Sequence, residues 1–488
     1  MEHEEAYRIY ERSARLLVLL AMRALYPGAR VRFEHSIGHG LYMNVEGVSL
    51  TAAIVHRIEA KMREIAAQDL PIVKSRWTRD HAIDYFRGQG QEDTVRLLGY
   101  RPFDYFDVYT CGGLSEYFYG DMAPSTGAVR SFALRFYFPG MVLLLPDETL
   151  SGPPAPFAER PQLMRTYAQA NECSRILQCE TAADLNDIIA RGEARTFIRV
   201  NEAMQDRAIA QIAERIVARG ARVVFVAGPS SSGKTTFANR LGIQLRVSGK
   251  RPVAISLDDY YLSRQLVPLR PDGQPDLECL EAIDVPLFNE QLVDLLAGRE
   301  VELPRYSFKT KQREAQGVRL SVTDDQILIV EGIHGLNDRL SEDIPSEMKF
   351  RVYVSALTQL NLDCHNRIRT TDVRLLRRMV RDHMSRDTAA IDTLKMWDSV
   401  REGEEKYIFP FQERADVMFN SSLLYEIAVL KKYAYPLLQG IGQDSPYYVR
   451  ARRLVKFLNY FLDCSDEREI PPTSILREFI GGCTFYEP

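Results

Sequence analysis

Cysteine is scarce in this chain and nowhere paired by spacing. The 7 cysteines (Cys111, Cys173, Cys179, Cys279, Cys364, Cys464 and Cys483) form no C-x-x-C motif, and their number is odd. That argues against a disulfide framework and fits reduced thiols in a cytoplasmic compartment. Long apolar runs are also missing. The strongest near the start, residues 16–22, is too short to span a bilayer. The opening Met1-Glu2-His3-Glu4-Glu5 lacks the basic start and apolar core of a signal peptide. Charge of one sign is lacking too: a formal net charge of −4 gives no global pull toward nucleic acid or acidic membranes. Neither is expected as a partner. No internal repeat or low-complexity tract appears. What remains is the composition of a soluble globular protein, 45% hydrophobic and 26% charged. Its 488 residues are enough for two or three domains.

What is present is concentrated in one stretch. The apolar, β-branched run Val223-Val224-Phe225-Val226-Ala227 feeds Gly228-Pro229-Ser230-Ser231-Ser232-Gly233-Lys234-Thr235-Thr236, and a helical pattern follows. This is a complete G-x-x-x-x-G-K-[ST] loop between a strand and a helix. Gly228 and Gly233 allow backbone N–H groups to turn inward on a polyphosphate. Lys234 neutralises the outer phosphates, and the Thr235 hydroxyl can ligate Mg²⁺. The following helix adds its N-terminal dipole. The chain is expected to bind a nucleoside triphosphate.

The rest of the chain divides around this loop. Residues 1–150 read as an α+β module: an amphipathic helix at 6–25, a hairpin at 30–45, and helices at 51–68 and 79–88. Residues 91–98 can extend the last of these, and short strands follow between 103 and 145. The turn-rich Ser151-Gly152-Pro153-Pro154-Ala155-Pro156 marks a boundary. Residues 151–220 form a helical linker region, with patterns at 162–177, 182–191 and 200–219, and Gly220 as the stop. From 221 to 425 strand and helix alternate, with short apolar runs at 253–257, 327–330, 350–354 and 417–419. The fold class is α/β, a parallel sheet with helices on both faces, whose ligands gather at the carboxyl ends of the strands. Residues 426–488 read as a helical C-terminal extension.

Acidic and basic residues recur where phosphoryl transfer needs them. The strand at 253–257 ends in Asp258-Asp259-Tyr260-Tyr261. A carboxylate there can take a proton from an attacking hydroxyl, or it can cap the next helix. Gln326-Ile327-Leu328-Ile329-Val330-Glu331-Gly332 is an apolar strand ending in an acid, and Glu331 can hold the metal or its water. Residues 366–386 carry Arg367, Arg369, Arg374, Arg377, Arg378, Arg381 and Arg386. Arg378 and Arg381 share a helix face. Such guanidinium groups can fork onto phosphate oxygens from a lid, or form a solvated basic face.

With these pieces assembled, residues 222–420 resemble the uridine kinase and phosphoribulokinase family of P-loop kinases. The resemblance is carried by Gly228 through Thr236, Ser256-Leu257-Asp258-Asp259-Tyr260-Tyr261, Glu281-Ala282-Ile283-Asp284, Leu303-Pro304-Arg305-Tyr306, Val330-Glu331-Gly332-Ile333 and Arg377-Arg378-Met379-Val380-Arg381-Asp382. It implies that Asp258 is the general base and that Tyr261 and Tyr306 contact an acceptor nucleoside. It places Arg378, Arg381 and Arg386 in a lid over the phosphates. Two departures concern the acceptor. The family's F-D-H-P-D-A-F-D run reads Leu277-Glu278-Cys279-Leu280-Glu281-Ala282-Ile283-Asp284 here, which leaves Glu278 to take the ribose hydroxyls. The histidine that contacts the pyrimidine is replaced by Lys311, a donor only. The last lid arginine of the pattern appears as Thr388.

Residues 30–145 resemble the second additional domain of threonyl-tRNA synthetases, the module that hydrolyses mischarged tRNA there. His35-Ser36-Ile37-Gly38-His39 and the run from Gly112 to Thr126 carry this likeness. The Cys and the further His that work with the H-x-x-x-H pair of that module fall on Phe118 and Met122, and Cys111 lies outside the aligned position. Neither editing activity nor a metal at the His35/His39 pair is expected. The two parts together, ending in Ser474-Ile475-Leu476-Arg477-Glu478-Phe479-Ile480-Gly481-Gly482, resemble a bacterial group labelled nucleoside kinases. The small ubiquitin-like domain that often precedes the module there is not expected here.

The resemblance implies an ATP- and Mg²⁺-dependent kinase acting on a small-molecule hydroxyl, a nucleoside ribose first. Two other readings stay open: a kinase of a non-nucleoside alcohol, and an ATP-switched RNA-binding or regulatory protein. A homo-oligomer stays open as well.

Overall fold

The computed structural model describes residues 2–485 except 148, 149, 151, 308, 309 and 311. The chain begins with helix α1 (Glu2–Leu25), and every residue from Glu11 to Met22 is buried. The apolar run that is too short for a membrane therefore forms the middle of a core. Among the described residues, no helix is long and apolar enough to cross one.

Two antiparallel sheets pack around α1. In the first, β1 (Arg30–Ile37), β2 (Gly40–Glu46), β6 (Ala133–Tyr137) and β7 (Gly140–Leu144) run in the order β1-β2-β7-β6. Burial alternates residue by residue along β1, as a strand with one face in the core requires. The second sheet is β3 (Val73–Thr78), β4 (Tyr105–Cys111) and β5 (Leu114–Glu116). Helix α2 (Ala52–Ala67) packs on α1, and α3 (Arg79–Gly88) on α4 (Glu92–Tyr100). Residues 91–98 thus do not prolong α3. Gln91, at φ −89° and ψ 64°, leaves helical geometry and starts α4 in a new direction.

Helices α5 (Pro161–Ile176), α6 (Ala182–Ala190) and α7 (Ala194–Arg219) lead to the second half. Helix α7 starts six residues before the apolar pattern indicates, because the buried stripe of Ala194, Phe197 and Ile198 continues through the polar Asn201 and Glu202, which break its apolar pattern. A five-stranded sheet follows, with β8 (Val223–Ala227), β9 (Arg251–Ser256), β14 (Gln326–Glu331), β15 (Lys349–Ser355) and β16 (Val417–Asn420). All its pairings are parallel and its order is β16-β15-β8-β14-β9. Strand β8 lies at the centre and all of its residues are buried. Val224 and Val226 face a core shared with α7, α8 (Lys234–Val247) and α12 (Glu426–Gln439). Val223 and Phe225 face the opposite core, built with α9 (Val285–Leu296). Continuous apolar strands with both faces covered are the signature of a parallel sheet.

Short hairpins pair β10 (Val301–Leu303) with β13 (Val318–Leu320) and β11 (Tyr306–Ser307) with β12 (Gln312–Arg313). After β15 come α10 (Thr370–Arg386) and α11 (Ala390–Tyr407). The tail adds α13 (Tyr448–Leu458) and the single turn α14 (Arg477–Ile480).

The segment 357–369, between β15 and α10, docks the two halves together. Asn361 Nδ2 donates to Phe33 O (2.9 Å), Phe33 N to Cys364 O (2.9 Å), and Asn366 Nδ2 to Tyr117 O (2.8 Å). His365 Nδ1 lies 2.9 Å from Glu116 Oε2 in a buried pair. Burial opposes the imidazolium, but Glu116 outweighs it and the pKa rises to about 9. A raised histidine pKa contributes stability that is complete below its unfolded value, about 6.5, and lost as pH rises through about 9. The stability difference between wild type and His365→Gln in urea is therefore expected to shrink between pH 6 and 9.5, by roughly 2–3 kcal/mol. A difference that stays constant over this range rejects the ion pair.

Candidate active site

Strand β8 delivers the chain into the loop 228–233, and α8 begins at Lys234. A Cβ on Gly228 would lie 2.0 Å from Val354 O, so only glycine lets the loop pass β15. Gly233 has φ +80° and Ser231 φ +58°. Left-handed residues alternating with ordinary ones turn successive N–H groups to one side, which makes an anion nest.

Neighbouring strands bring the acids to the same edge. Glu331 ends β14 beside Val226 of β8 on one side and Ser256 of β9 on the other. The Thr235 hydroxyl donates to Glu331 Oε1 at 3.3 Å, whereas Glu331 Oε2 is buried with no hydrogen-bond partner among the described residues. Burial, with Asp258 and Glu478 adding to it against Lys234, raises the Glu331 pKa to about 7. Asp258 follows β9 in a short 3₁₀ turn, and its backbone N–H is capped by Ser256 Oγ (3.3 Å). The capping is thus done by Ser256. The Asp258 carboxylate forms no hydrogen bond among the described residues and lies in the field of Lys234, Arg386 and Arg381. Burial pushes its pKa up, and these cations oppose the shift. Asp259 instead accepts from Tyr306 N (3.2 Å) and holds the turn.

Helix α10 supplies the cations. Arg378 Nη1 donates to Ser230 Oγ (2.8 Å) and its Nε to Asp382 (2.5 Å). Arg386 also meets Asp382 (3.2 Å). Arg381 donates to Glu478 (3.3 Å), and burial together with Arg386 lowers its pKa to about 10. Thr388 lies just beyond the helix, its hydroxyl turned back to Arg386 O.

On the acceptor side Tyr261 and Tyr306 come together, their ring centroids 5.7 Å apart. The Tyr261 hydroxyl donates to Leu277 O (3.0 Å). Glu278 is half-buried against Gly403, and burial plus Glu404 raises its pKa to about 7, with Arg378, Lys234 and Asp258 nearby. Lys311 lies outside the described residues. Arg313 clamps this turn through Asp284 and the carbonyls of Tyr260 and Tyr261.

Several contributors have no local signal in the sequence. Arg374 and Arg377 point not to solvent but beneath the loop. Arg374 donates to Ser230 O (3.0 and 2.9 Å), and Arg377 to Ser231 O (3.4 Å) and Glu426. Glu404 accepts from Ser230 N (3.1 Å). The tail closes on the loop from the other end of the chain: Ile475 packs on Gly233, Glu478 accepts from Thr236 Oγ1 (2.8 Å), and Phe479 lies under Arg377.

The N-terminal histidines are far less alike than their spacing suggests. His35 is buried between Tyr167, at 3.5 Å between ring centroids, and Tyr42, and burial lowers its pKa to about 3. His39 is exposed in the β1–β2 turn. Phe118 and Cys111 are core residues, and Met122 packs against the same core.

Residues 223–427 match the model of the Phosphoribulokinase / Uridine kinase family. The uridine kinase of Lactobacillus helveticus (strain DPC 4571) is 28% identical over 197 residues, covering 40% of this chain and 84% of that protein. In the N-terminal region, the threonine–tRNA ligase of Marinobacter nauticus is 33% identical over 133 residues, which span 27% of this chain but 21% of the ligase. A solved structure described as a possible uridine kinase from Bacillus stearothermophilus shares 22% identity over 43% of this chain and 97% of its own, with a TM-score of 0.30. The C-terminal half thus carries a domain of the Phosphoribulokinase / Uridine kinase family, joined to a module similar to about a fifth of threonine–tRNA ligase.

Proposed function

We propose that this family domain makes the chain an ATP- and Mg²⁺-dependent phosphotransferase whose acceptor is a hydroxyl of a small molecule, a nucleoside ribose first. The observation that carries the reading is the position of Asp258. It is a carboxylate with no hydrogen bond of its own among the described residues, set among the P-loop lysine and two lid arginines. Such a group can accept the proton of an incoming alcohol where phosphate charge is already neutralised. Lys234 and the loop N–H groups hold the triphosphate, while Arg378 and Arg381 offset charge on the transferring group. The acceptor oxygen forms the new P–O bond, the bond between the γ-phosphorus and the bridging oxygen breaks, and ADP leaves. The residues fit a divalent cation, since Glu331 has one buried oxygen with no partner among the described residues and the other facing the Thr235 hydroxyl. Magnesium bound there would supply charge neutralisation across the phosphates. The reduced, unpaired cysteines agree with a cytoplasmic enzyme.

A panel of nucleosides, polyols and sugar phosphates with ATP and Mg²⁺ tests the acceptor. Phosphorylation of nucleosides on the ribose is the expected result. Consumption of another alcohol with inert nucleosides moves the assignment to the second reading, and no turnover with any alcohol removes the kinase reading. Glu278 is what keeps that second reading in view. Raised to about 7, its carboxyl accepts from a diol when ionised and can also donate when protonated.

Glu478 adds a prediction about the donor. Its carboxylate rests on the Thr236 hydroxyl and Arg381, groups placed to meet phosphate oxygens. Glu478→Gln is expected to tighten ATP binding roughly fivefold, the factor that about 1 kcal/mol of relieved repulsion gives. Titration with a fluorescent ATP analogue measures it, and weaker binding would contradict the repulsion.

A further inference from the structure

The donor side of the proposed site is already in contact with a piece of the chain itself. Thr236 lies in the first turn of α8 and is 0% exposed, because residues 474–481 cover it. Its hydroxyl donates to Glu478 Oε2 at 2.8 Å. The other oxygen of that carboxylate, Oε1, accepts from Arg381 Nη1 at 3.3 Å. A Cβ on Gly233 would lie 2.4 Å from Ile475 Cγ2, so this side chain sits directly on the loop. One carboxylate thus joins a hydroxyl of the P-loop helix to a cation of the lid. An anion with these two partners takes the place that a phosphate group would take at the same atoms. Its charge also reaches Glu331, where it helps to raise the pKa.

The segment that carries Glu478 has little stability of its own. Helix α14 is a single turn of four residues, too short to hold its shape in isolation. Its place rests on Leu476, Phe479 and Ile480, which are buried in the core shared with α10 and α12. The Phe479 ring centroid lies 5.0 Å from Arg377 Cζ and 5.9 Å from Arg381 Cζ. At the start of the segment the Ser474 hydroxyl donates to Glu202 Oε1 (2.6 Å). Apolar anchors therefore decide how firmly the carboxylate is held on the donor site.

Taking the P-loop as the donor site, on which this inference rests, we propose that residues 474–481 are a built-in occupant of it. Glu478 holds Thr236 and Arg381 in place of a nucleotide phosphate, and nucleoside triphosphate competes with the segment. Such coupling is reciprocal: whatever loosens the segment tightens the nucleotide, and the nucleotide loosens the segment. A fixed repulsive charge would not respond to the apolar anchors. A segment that only walls the site would respond in the opposite direction, since loosening a wall weakens what it holds.

The test uses the full chain with Mg²⁺ and the non-hydrolysable ATP analogue AMP-PNP. Leu476→Ala and Ile480→Ala each thin an anchor without changing a charge. Calorimetry is expected to show both variants binding the analogue at least threefold more tightly than wild type. In wild type, the amides of Phe479 and Ile480 donate to Leu476 O and that of Gly481 to Arg477 O. Hydrogen exchange read by mass spectrometry is expected to run at least threefold faster at these amides when the analogue saturates the site. Melting curves report whether each variant folds; if neither does, exchange in wild type decides. Binding that the folded variants leave unchanged or weaken, or exchange that the analogue leaves unchanged or slows, overturns the competition alone. No binding by wild type or either variant overturns the P-loop reading and the competition with it.

Discussion

Asp258→Asn is expected to lower kcat by about 10³-fold, within the range that a positioned general base contributes, while ATP binds as well as before or better. Asparagine keeps the volume and the place of the side chain at the end of β9. It removes only the basic oxygen and the negative charge. Because the backbone N–H of Asp258 is capped by Ser256, the turn does not rely on the carboxylate for its shape. Loss of its charge next to Lys234, Arg381 and Arg386 leaves those cations freer for phosphate, so nucleotide affinity cannot suffer by that route. The effect must then fall on the chemical step. Steady-state kinetics with the best acceptor, together with direct ATP titration, separates the two quantities. A kcat within tenfold of wild type would mean that the alcohol loses its proton elsewhere, and the proposed role of Asp258 would be wrong.

Local chemistry explains why so much of the candidate site's arrangement could be read from the chain alone. The P-loop is a contiguous motif, and Asp258 and Glu331 each terminate a strand whose apolar run announces it. Parallel pairing to β8 does the rest, since it puts all three strand ends on one edge. The five strands of that sheet lie where the apolar runs place them, with ends moved by a residue or two. What escapes is whatever depends on contact between distant segments. Nothing near Glu478 marks it as a neighbour of Thr236, because only the packing of Ile475 and Phe479 on the loop and on α10 brings it there. The arginines of α10 show the same limit within one helix. Their composition signals phosphate, but only the fold separates Arg378 and Arg381, which face the site, from Arg374 and Arg377, which are 1% and 0% exposed and brace the loop. His35 and His39 fall on a strand end and in the turn after it, one buried and the other exposed, a difference that their spacing does not carry.

The buried brace leads to the second large effect. Arg374 and Glu404 are 1% and 0% exposed, and they meet through Arg374 Nη1 and Glu404 Oε2 at 3.0 Å and through a second, shorter contact. Together they hold both backbone groups of Ser230, the carbonyl through Arg374 and the N–H through Glu404. Arg374→Met leaves Glu404 with Arg401 as its remaining cation (3.1 Å) in a place that water does not reach. Removing one partner of a buried pair costs about 3–5 kcal/mol, and that loss is expected in urea unfolding. The double variant Arg374→Met/Glu404→Leu removes the stranded charge along with its partner, and most of the stability should return. ATP affinity should not return with it, because Ser230 then keeps neither of its anchors and the nest loses its fixed shape. Recovery of stability without recovery of binding would show that the pair exists to position the loop. A single variant that unfolds within about 1 kcal/mol of wild type would instead show that Ser230 and Arg401 already satisfy Glu404.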